Sequence, residues 1–369
     1  MKKLVIIGAN DFQKQLILKA KSLGCETHVF AWEEGAVGKE FADYFYPISI
    51  TEKEKILEKC REIRPCGICS IASDLAVVTI NYVAEALGLP CNSAAYTDIQ
   101  TNKYAMRKAL SKANVPCPEF ILTDENVSPN ELKNLTFPVI VKPTDRSGSR
   151  CITKLESADG IEDAVKAACG VSFEKRAIIE EYLRGDEYSM ETISQNGRHF
   201  YLATTKKFTT GAPHFIETGH IQPSGLDEET LKKAKAVIFS ALDALHIENS
   251  AAHSEFRIDE NGNINIIEIG ARMGGDCIGS DLVPLSTGFD FMKAVIDVAT
   301  GKEITVGKLG SDEAEIRFLF TENDIEKMNE FVKNNPESIV RISDIEYENL
   351  GKTEDSSTRL GYYIISKNR

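Results

Sequence analysis

Two strand-like segments around an Asn-Gly pair each carry a glutamate that could help to bind a cation. Asn261-Gly262 favours a two-residue turn with positive φ. If these two residues form the whole loop, Glu260 pairs with Asn263, and the same register places Glu255 directly opposite Glu268. The sequence therefore predicts two carboxylates facing each other across a hairpin.

Opposed carboxylates are unfavourable unless a cation bridges them. Carboxylate oxygens are the ligands that Mg²⁺ takes from proteins, so the pair is a candidate metal site. Arg272 follows Glu268 by four positions and could hold an anion beside the metal. The combination indicates phosphate chemistry, and a solvated acidic hairpin is the alternative interpretation.

A lysine and a loop of small residues form a second candidate phosphate site. The strand-like run Phe137–Lys142 ends in the lysine, and Ser147-Gly148-Ser149 follows in a loop. Small residues let backbone N–H groups approach phosphate oxygens, and the lysine adds a positive charge. The GxxxxGK[ST] pattern of a Walker A loop is absent, and a plain β-turn with an exposed lysine is the alternative.

A third segment has the pattern of a hinge that could bind a nucleotide base. An apolar run leads into Glu180-Glu-Tyr-Leu183, and Glu187 follows after Gly185. Such a hinge could offer backbone groups and a carboxylate to the exocyclic amine of adenine. Glu187 could accept hydrogen bonds from ribose hydroxyls.

Strands and helices alternate over residues 1–95, the first of the elements that must position these segments. Strands are predicted at Leu4–Ile7, Thr27–Phe30, Ile68–Ala72 and 89–92, and helices at Phe12–Leu23, Thr51–Arg64 (capped by Thr51) and Ser73–Leu87. The alternation predicts a parallel sheet covered on both faces. The turn at Gly8 lacks the GxGxxG fingerprint, which favours a scaffold role over dinucleotide binding.

Residues 96–305 mix strands and helices less regularly, beginning with a predicted helix over Asp98–Lys112. Residues 306–369 contain strand-like runs at Glu313–Phe320 and Gly361–Ser366 and a helix near Asn323–Asn334. This last segment is predicted to form a small α+β cap.

In order and spacing, these segments resemble the ATP-grasp ligases, and within them the carbamoyl-phosphate-synthase-like branch of amino-acid and carboxylate–amine ligases. The resemblance covers nearly the whole chain. Its most specific parts are Pro138-Val-Ile-Val-Lys-Pro, Glu180-Glu-Tyr-Leu-Arg-Gly-Asp-Glu, and Glu255 followed by Glu268-Ile-Gly-Ala-Arg-Met-Gly-Gly. It implies an α/β and α+β fold with a Rossmann-like domain at 1–95, an ATP-grasp domain of two α+β subdomains at 96–305, and the cap at 306–369.

The resemblance also implies ATP and Mg²⁺ as cofactors, with Mn²⁺ as an alternative metal, and a role for each matching residue. The implied ATP contacts are Lys103, Lys142, Ser147, Gly148, Ser149, Glu180, Glu181, Tyr182, Leu183 and Glu187. The implied metal ligands are Glu255 and Glu268, and the implied catalytic residues are Lys142 and Arg272, the latter steadying the acyl phosphate. Many family members have Asn as a further metal ligand where Gly270 stands, so whether one or two metals bind is left open.

Substrate contacts are expected in two segments. The loop-like stretch 212–223 contains Glu217 and His220, and the amino-acid ligase branch has a similar Glu-x-x-His segment facing the substrate amine and carboxylate. A β-hairpin with an exposed histidine is the alternative, and His214 is a weaker candidate. In the second segment, Gly274 and Gly275 could contact a carboxylate or phosphate through their backbone, and Asp276 would line the acceptor pocket and favour an amine-bearing substrate.

Composition limits the possible partners. The chain has 43 Lys+Arg against 56 Asp+Glu, a net charge of -13, so broad nucleic-acid binding is not expected. No apolar run approaches the length of a membrane span, and the N-terminal apolar run is interpreted as a buried strand rather than a signal peptide. Nine scattered cysteines, including a lone CxxC at Cys66, indicate free thiols in a reducing cytoplasm.

The sequence thus predicts an ATP-dependent ligase that joins small-molecule carboxylate and amine substrates through an acyl phosphate, releasing ADP and phosphate. Dimers are common among the proteins that this sequence resembles, and the oligomeric state is left open. The alternatives are an ATP-grasp enzyme acting on bicarbonate or a purine-pathway carboxylate, and a non-catalytic ATP-binding protein. The identity of the acid and the amine is left open.

Overall fold

A computed structural model describes residues 2–128, 130–213, 215–352 and 355–367. Its first unit is a four-stranded parallel sheet, β3-β2-β1-β4, built from β1 (Lys2–Ile7), β2 (Cys25–Phe30), β3 (Tyr44–Tyr46) and β4 (Gly67–Cys69). Three helices connect these strands to each other and to the next unit: α1 (Asp11–Ser22), α2 (Lys53–Ile63) and α3 (Asp74–Ala86).

Alternate residues of β1 face the two sides of this sheet. Leu4 and Ile6 pack with α1, whereas Val5 and Ile7 pack with α2 and α3. The predicted parallel sheet covered on both faces is therefore confirmed.

Two local predictions in this region are wrong. Helix α2 begins at Lys53 rather than at a Thr51 cap, because the Thr51 hydroxyl is bonded to the Ser49 hydroxyl at 2.9 Å. Residues 89–92 form no strand; the Asn92 side chain instead accepts backbone hydrogen bonds from Glu248 and Asn249 at 2.8 and 2.9 Å.

The helix predicted over Asp98–Lys112 is two helices, α4 (Thr97–Thr101) and α5 (Lys103–Lys112). Asn102 interrupts it with an extended backbone (φ -104, ψ 121), and its side chain accepts hydrogen bonds from the first turn of α5. The asparagine N-cap therefore makes Lys103 the first residue of a new helix.

A second sheet is antiparallel, with the order β5-β8-β6-β7. Its strands are β5 (Phe120–Thr123), β6 (Val139–Pro143), β7 (Thr153–Leu155) and β8 (Ala177–Glu181), and α6 (Ile161–Val171) packs against it.

The largest sheet has eight antiparallel strands in the order β13-β12-β9-β10-β11-β14-β16-β15. The strands of this sheet are β9 (Asp186–Gln195), β10 (Arg198–Thr209), β11 (Glu217–Gln222), β12 (Ala251–Ile258), β13 (Ile264–Gly270), β14 (Ala314–Leu319), β15 (Ile339–Ile342) and β16 (Gly361–Ser366). The helices between them in the chain are α7 (Glu228–Ala244), α8 (Val283–Thr287), α9 (Phe291–Ala299) and α10 (Glu322–Asn334). The mixed α/β and α+β class expected from the sequence is confirmed.

The C-terminal strands continue this large sheet, because β14 pairs with β11. The stretch 212–223, interpreted as loop-like, accordingly contains strand β11. The N-terminal sheet also shares a core with later residues, since Phe291 and Val295 of α9 pack in the same cluster as Leu4. The boundaries proposed at 95 and 305 remain predictions.

The β12–β13 hairpin has the predicted pairing but not the predicted turn. Its loop is Asp259–Asn263, closed by the Asp259 side chain, and Ile258 pairs with Ile264. If this register continued unchanged along both strands, Glu255 and Glu268 would be out of alignment by one residue. A bulge next to Glu255 restores the missing residue, so the two glutamates are paired.

Nine cysteines are free thiols, as expected. Within the described residues, no helix is long and apolar enough to cross a membrane.

Candidate active site

A cavity of about 360 Å³ lies between the sheets and collects most of the residues singled out from the sequence. The predicted site residues that line it are Lys103, Lys142, Ser147, Gly148, Ser149, Glu180, Glu181, Tyr182, Leu183, Glu187, Glu217, His220, Glu255, Glu268, Arg272, Gly275 and Asp276. They come from segments more than 170 positions apart, so the fold brings the separate motifs to one place.

Gly274 is the exception. Its backbone N–H donates to Glu191 at 3.1 Å, and a Cβ at this position would lie 2.8 Å from His253. The substrate contact suggested for the Gly274 backbone stays a prediction, and its N–H already has Glu191 as a protein partner.

Glu255 and Glu268 face each other, and each is neutralised by a lysine. The buried Lys207 ammonium forms an ion pair with Glu255, and the Lys103 ammonium lies 3.0 Å from Glu268. Burial opposes ionisation of Glu255, but Lys207 and His253 hold its pKa well below the usual range. Glu255 is therefore negatively charged at neutral pH.

These two carboxylates fit the expected cation in chemistry. They supply oxygen donors, which a hard cation such as Mg²⁺ prefers, and an ion there would compete with Lys207 and Lys103 for these carboxylates. Within the described ranges there is no group of three or more His, Cys, Asp and Glu able to hold a metal. Glu255 and Glu268 would therefore hold the ion together with water and phosphate oxygens.

A buried histidine lies behind Glu255. His253 Nε2 is 3.2 Å from Glu255, and Nδ1 forms a close contact with Glu191, which is fully buried. Burial acts to lower the pKa of His253, but the two carboxylates raise it to about 9. No partner of His253 could be predicted from the sequence, because Glu191 is 62 positions away.

Two buried lysines define the end of the cavity expected to hold phosphate. Lys103 donates to the carbonyl oxygen of Arg146 at 2.5 Å, and Lys142 lies 2.6 Å from Glu180. Arg107 Nε lies 2.7 Å from the same Glu180 carboxylate. Burial lowers the pKa of Lys142, and Glu180 opposes that effect.

The loop 147–149 adjoins these lysines. Gly148 has φ +77, a conformation that glycine adopts without strain, and no atom of the described residues lies within 4 Å of a Cβ placed there. The glycine is thus required for backbone conformation rather than for space. Ser149 contacts the carbonyl oxygen of Phe215 at 3.5 Å, on the far side of the cavity.

The proposed nucleotide hinge is held by Arg257, which the sequence analysis missed. Its guanidinium donates to the Tyr182 hydroxyl at 2.7 Å, to the Leu183 carbonyl at 2.8 Å and to Glu187 at 2.9 Å. The Glu180 carboxylate faces Lys142 rather than open space. Side-chain recognition of adenine by Glu180 would therefore require that pair to open.

Arg272 is oriented by a residue from the N-terminal unit. Its Nε and Nη2 atoms donate to Asp74 at 2.8 and 3.0 Å. Ser73 is the N-cap of α3, and Asp74 is the first residue of the helix. Asp74 lines the same cavity, so it has more than a capping role.

The expected substrate residues lie together at another part of the cavity. Glu217 and Asp276 are joined by Arg359, whose Nη2 is 2.8 Å from Glu217 and 3.0 Å from Asp276. His220 Nε2 lies 3.6 Å from Asp276, beyond hydrogen-bonding distance. Arg359 was not found from the sequence, since it is in no motif. His214 lies outside the described residues.

The fold of this chain is that of several solved ligases. It superimposes on an L-amino acid ligase from Bacillus licheniformis with a TM-score of 0.80 at 22% identity, covering 99% of this chain and 93% of that one. A phosphoribosylglycinamide synthetase from Anaerococcus prevotii gives a TM-score of 0.76 at 21% identity, covering 100% and 94%.

Residues 135–281 match the family model described as ATP-grasp domain. Among curated proteins, an alanine–anticapsin ligase from Bacillus subtilis (strain 168) is 28% identical over 275 residues, 64% of this chain and 57% of the relative. A D-alanine–D-alanine ligase from Clostridium perfringens (strain SM101 / Type A) is 26% identical over 221 residues, 55% of this chain and 72% of the relative. The match to the alanine–anticapsin ligase thus spans little more than half of that protein's length.

Proposed function

We propose that this protein is an ATP-dependent carboxylate–amine ligase that forms an amide through an acyl phosphate and releases ADP and phosphate. The observation that carries the proposal is one cavity containing Lys103 and Lys142, the opposed Glu255 and Glu268, and Arg272. Similarity to proteins named as alanine–anticapsin ligase and D-alanine–D-alanine ligase supports amide formation.

In the first step, a substrate carboxylate oxygen attacks the γ-phosphorus of ATP, and ADP leaves. Catalysis here is mainly positioning and charge neutralisation. Lys103 and Lys142 place positive charge beside the phosphates. Mg²⁺ held by Glu255 and Glu268 would neutralise the charge that develops on the phosphate oxygens.

In the second step, the amine nitrogen attacks the acyl carbon and phosphate leaves. Arg272, held by its two bonds to Asp74, would stabilise the negative charge on the tetrahedral intermediate. The loop 147–149 would cover the acyl phosphate and exclude water, which would otherwise hydrolyse it. Glu217, His220 and Asp276 would bind the substrates.

A second candidate is an ATP-grasp enzyme that phosphorylates bicarbonate or a purine-pathway carboxylate. It is favoured by one specific observation: an N5-carboxyaminoimidazole synthetase from Staphylococcus aureus complexed with ADP has the same fold, with a TM-score of 0.79 at 15% identity. The two candidates differ in the acceptor that stimulates ADP release.

The test is ADP and phosphate release from Mg²⁺-ATP across a matrix of amino acids and small carboxylates, with mass detection of the product. A ligase requires an acid and an amine together and forms their amide. Glu268→Gln should abolish release, whereas Glu260→Gln, an exposed glutamate of the same hairpin, should retain it. Release stimulated by bicarbonate without an amine would support the second candidate, and ATP binding without any release would contradict both.

A further inference from the structure

Arg359 lies behind the part of the cavity that we assign to the acceptor amine. Its side chain is 8% exposed and does not line the cavity, but it bonds to two carboxylates that do, Glu217 and Asp276. The guanidinium carbon lies 3.7 Å from the centre of the Phe318 ring. Hydrogen bonds and stacking thus fix Arg359 in one orientation.

The charges of this subsite do not balance. Glu217 and Asp276 contribute two negative charges against the one positive charge of Arg359. The other nearby cation, Lys207, is 3.7 Å from Glu217 and is shared with Glu187 and Glu255. About one negative charge therefore faces the cavity without a partner of its own.

His220 is an independent sign that a ligand binds here. The ring is 1% exposed and lines the cavity, and neither ring nitrogen has a hydrogen-bond partner among the described residues. A buried polar group without a partner is costly, and a bound ligand would remove that cost. Burial lowers the pKa of His220, although Asp276 opposes this, so the neutral ring can accept an N–H from a ligand.

We propose that Arg359 sets the charge preference of the acceptor subsite, so that it accepts a substrate with one ammonium group and discriminates against a substrate with two. This inference rests on the proposed function, in which the acceptor is an amine. One ammonium beside Glu217 and Asp276 balances the subsite, whereas a second cationic group would find no unbalanced negative charge there, because Arg359 already neutralises the other one. Arg359 is thus a positioning residue that acts through the two carboxylates.

The test compares ligands of equal length that differ in one charge. Binding of L-norleucine and L-lysine, and of L-norvaline and L-ornithine, is measured by calorimetry on the full chain with Mg²⁺-ADP. The wild type should prefer the neutral side chain in each pair. Arg359→Met should shift the ratio of the two binding affinities in each pair towards the cationic ligand by at least about tenfold. Arg359→Lys should keep the wild-type preference.

Arg341→Met is the matched control. Arg341 also pairs with an aspartate, Asp281 at 3.0 Å, and also lies near an aromatic ring, but neither residue of this pair lines the cavity. Its loss should leave the ratio unchanged. If Arg359→Met shifts the ratio no more than Arg341→Met does, or if the wild type binds no ammonium compound, the inference is overturned.

A second variant covers the case in which Arg359→Met does not fold, as judged by circular dichroism. Asp276→Asn removes the unbalanced charge and should weaken binding of both members of each pair by about tenfold or more. Unchanged binding would overturn the inference. Failure of the proposed function can be told apart from failure of this inference. If binding depends on ligand charge but ADP release does not depend on an amine, the ligase function is contradicted and the charge preference of the subsite still holds.

Discussion

Asp74 and Arg272 form a two-bond ion pair, at 2.8 and 3.0 Å, across 198 positions of the chain. Asp74 begins helix α3 of the N-terminal unit, and Arg272 follows strand β13 of the large sheet. The N-terminal unit therefore contributes a residue to the candidate site and is more than a scaffold beside it.

Asp74→Asn should lower turnover by about tenfold to a hundredfold, because Arg272 would no longer be held for the acyl phosphate. The Michaelis constant for ATP should change little. Steady-state ADP release checks this. Asp11→Asn is the control, since Asp11 is also the first residue of a helix and is exposed. Equal turnover in the two variants would mean that Asp74 acts only at the helix end.

Gly270→Ala should disturb the same pair. A Cβ there would lie 2.8 Å from Asp74 Oδ1 and 3.0 Å from Arg272 Cζ. We expect a loss of about 1–3 kcal/mol in the free energy of unfolding, and reduced turnover. The same contacts leave little room for any larger side chain at this position.

Gly170→Ala is the control for Gly270, because Gly170 lies in helix α6 and nothing is within 4 Å of its added Cβ. It should be neutral or stabilising by up to about 1 kcal/mol. Urea unfolding of both variants gives the comparison, and equal stability would contradict the steric argument.

His220 should make the protein less stable in acid. Its pKa in the folded state is lowered by burial from 6.5. Below that value the unfolded chain binds a proton that the folded ring resists, so stability falls as pH drops, by at most about 1.4 kcal/mol per pH unit. Urea unfolding at pH 7.5 and about pH 5.5 should show a smaller loss for His220→Gln than for the wild type.

His246→Gln is the matched variant, because the His246 side chain is 40% exposed. It should lose stability in acid as the wild type does. A loss in His220→Gln equal to that of the wild type would show that the buried imidazole is not the source of the acid sensitivity.

The opposed glutamates show how much a local pattern can determine. Their pairing was predicted from an assumed two-residue turn, yet the loop is longer and a bulge compensates. Side chains alternate between the two faces of a strand, so the pairing is set by which residues share the cavity face. The length of the turn depends instead on the Asp259 side chain, which accepts hydrogen bonds from the backbone of its own loop. The pairing was therefore more predictable than the turn.

Motif residues were predictable because their chemistry is local, but their partners were not. Asp74, Arg257 and Arg359 each meet a site residue at least 70 positions away, and no spacing rule connects them. Such contacts depend on how strands and helices are arranged in space. The same applies to Lys207, whose partner Glu255 is 48 positions away.

Lys207 leads to a prediction about metal dependence. It is 6% exposed and lies near Glu187, Glu217 and Glu255, whose carboxylates raise its pKa although burial opposes this. Lys207→Met leaves these carboxylates without their shared cation, at an expected cost of about 3–5 kcal/mol. A divalent cation bound at Glu255 would offset part of that cost.

The melting temperature of Lys207→Met should therefore rise more on addition of Mg²⁺ than that of the wild type. Lys206→Met is the control, because Lys206 is the adjacent residue on β10 and pairs with Asp186 at the surface, at 32% side-chain exposure. Its response to Mg²⁺ should match the wild type, as measured by thermal unfolding with and without the metal. An equal response in all three proteins would show that no cation binds beside Lys207, and would count against Glu255 as a metal ligand.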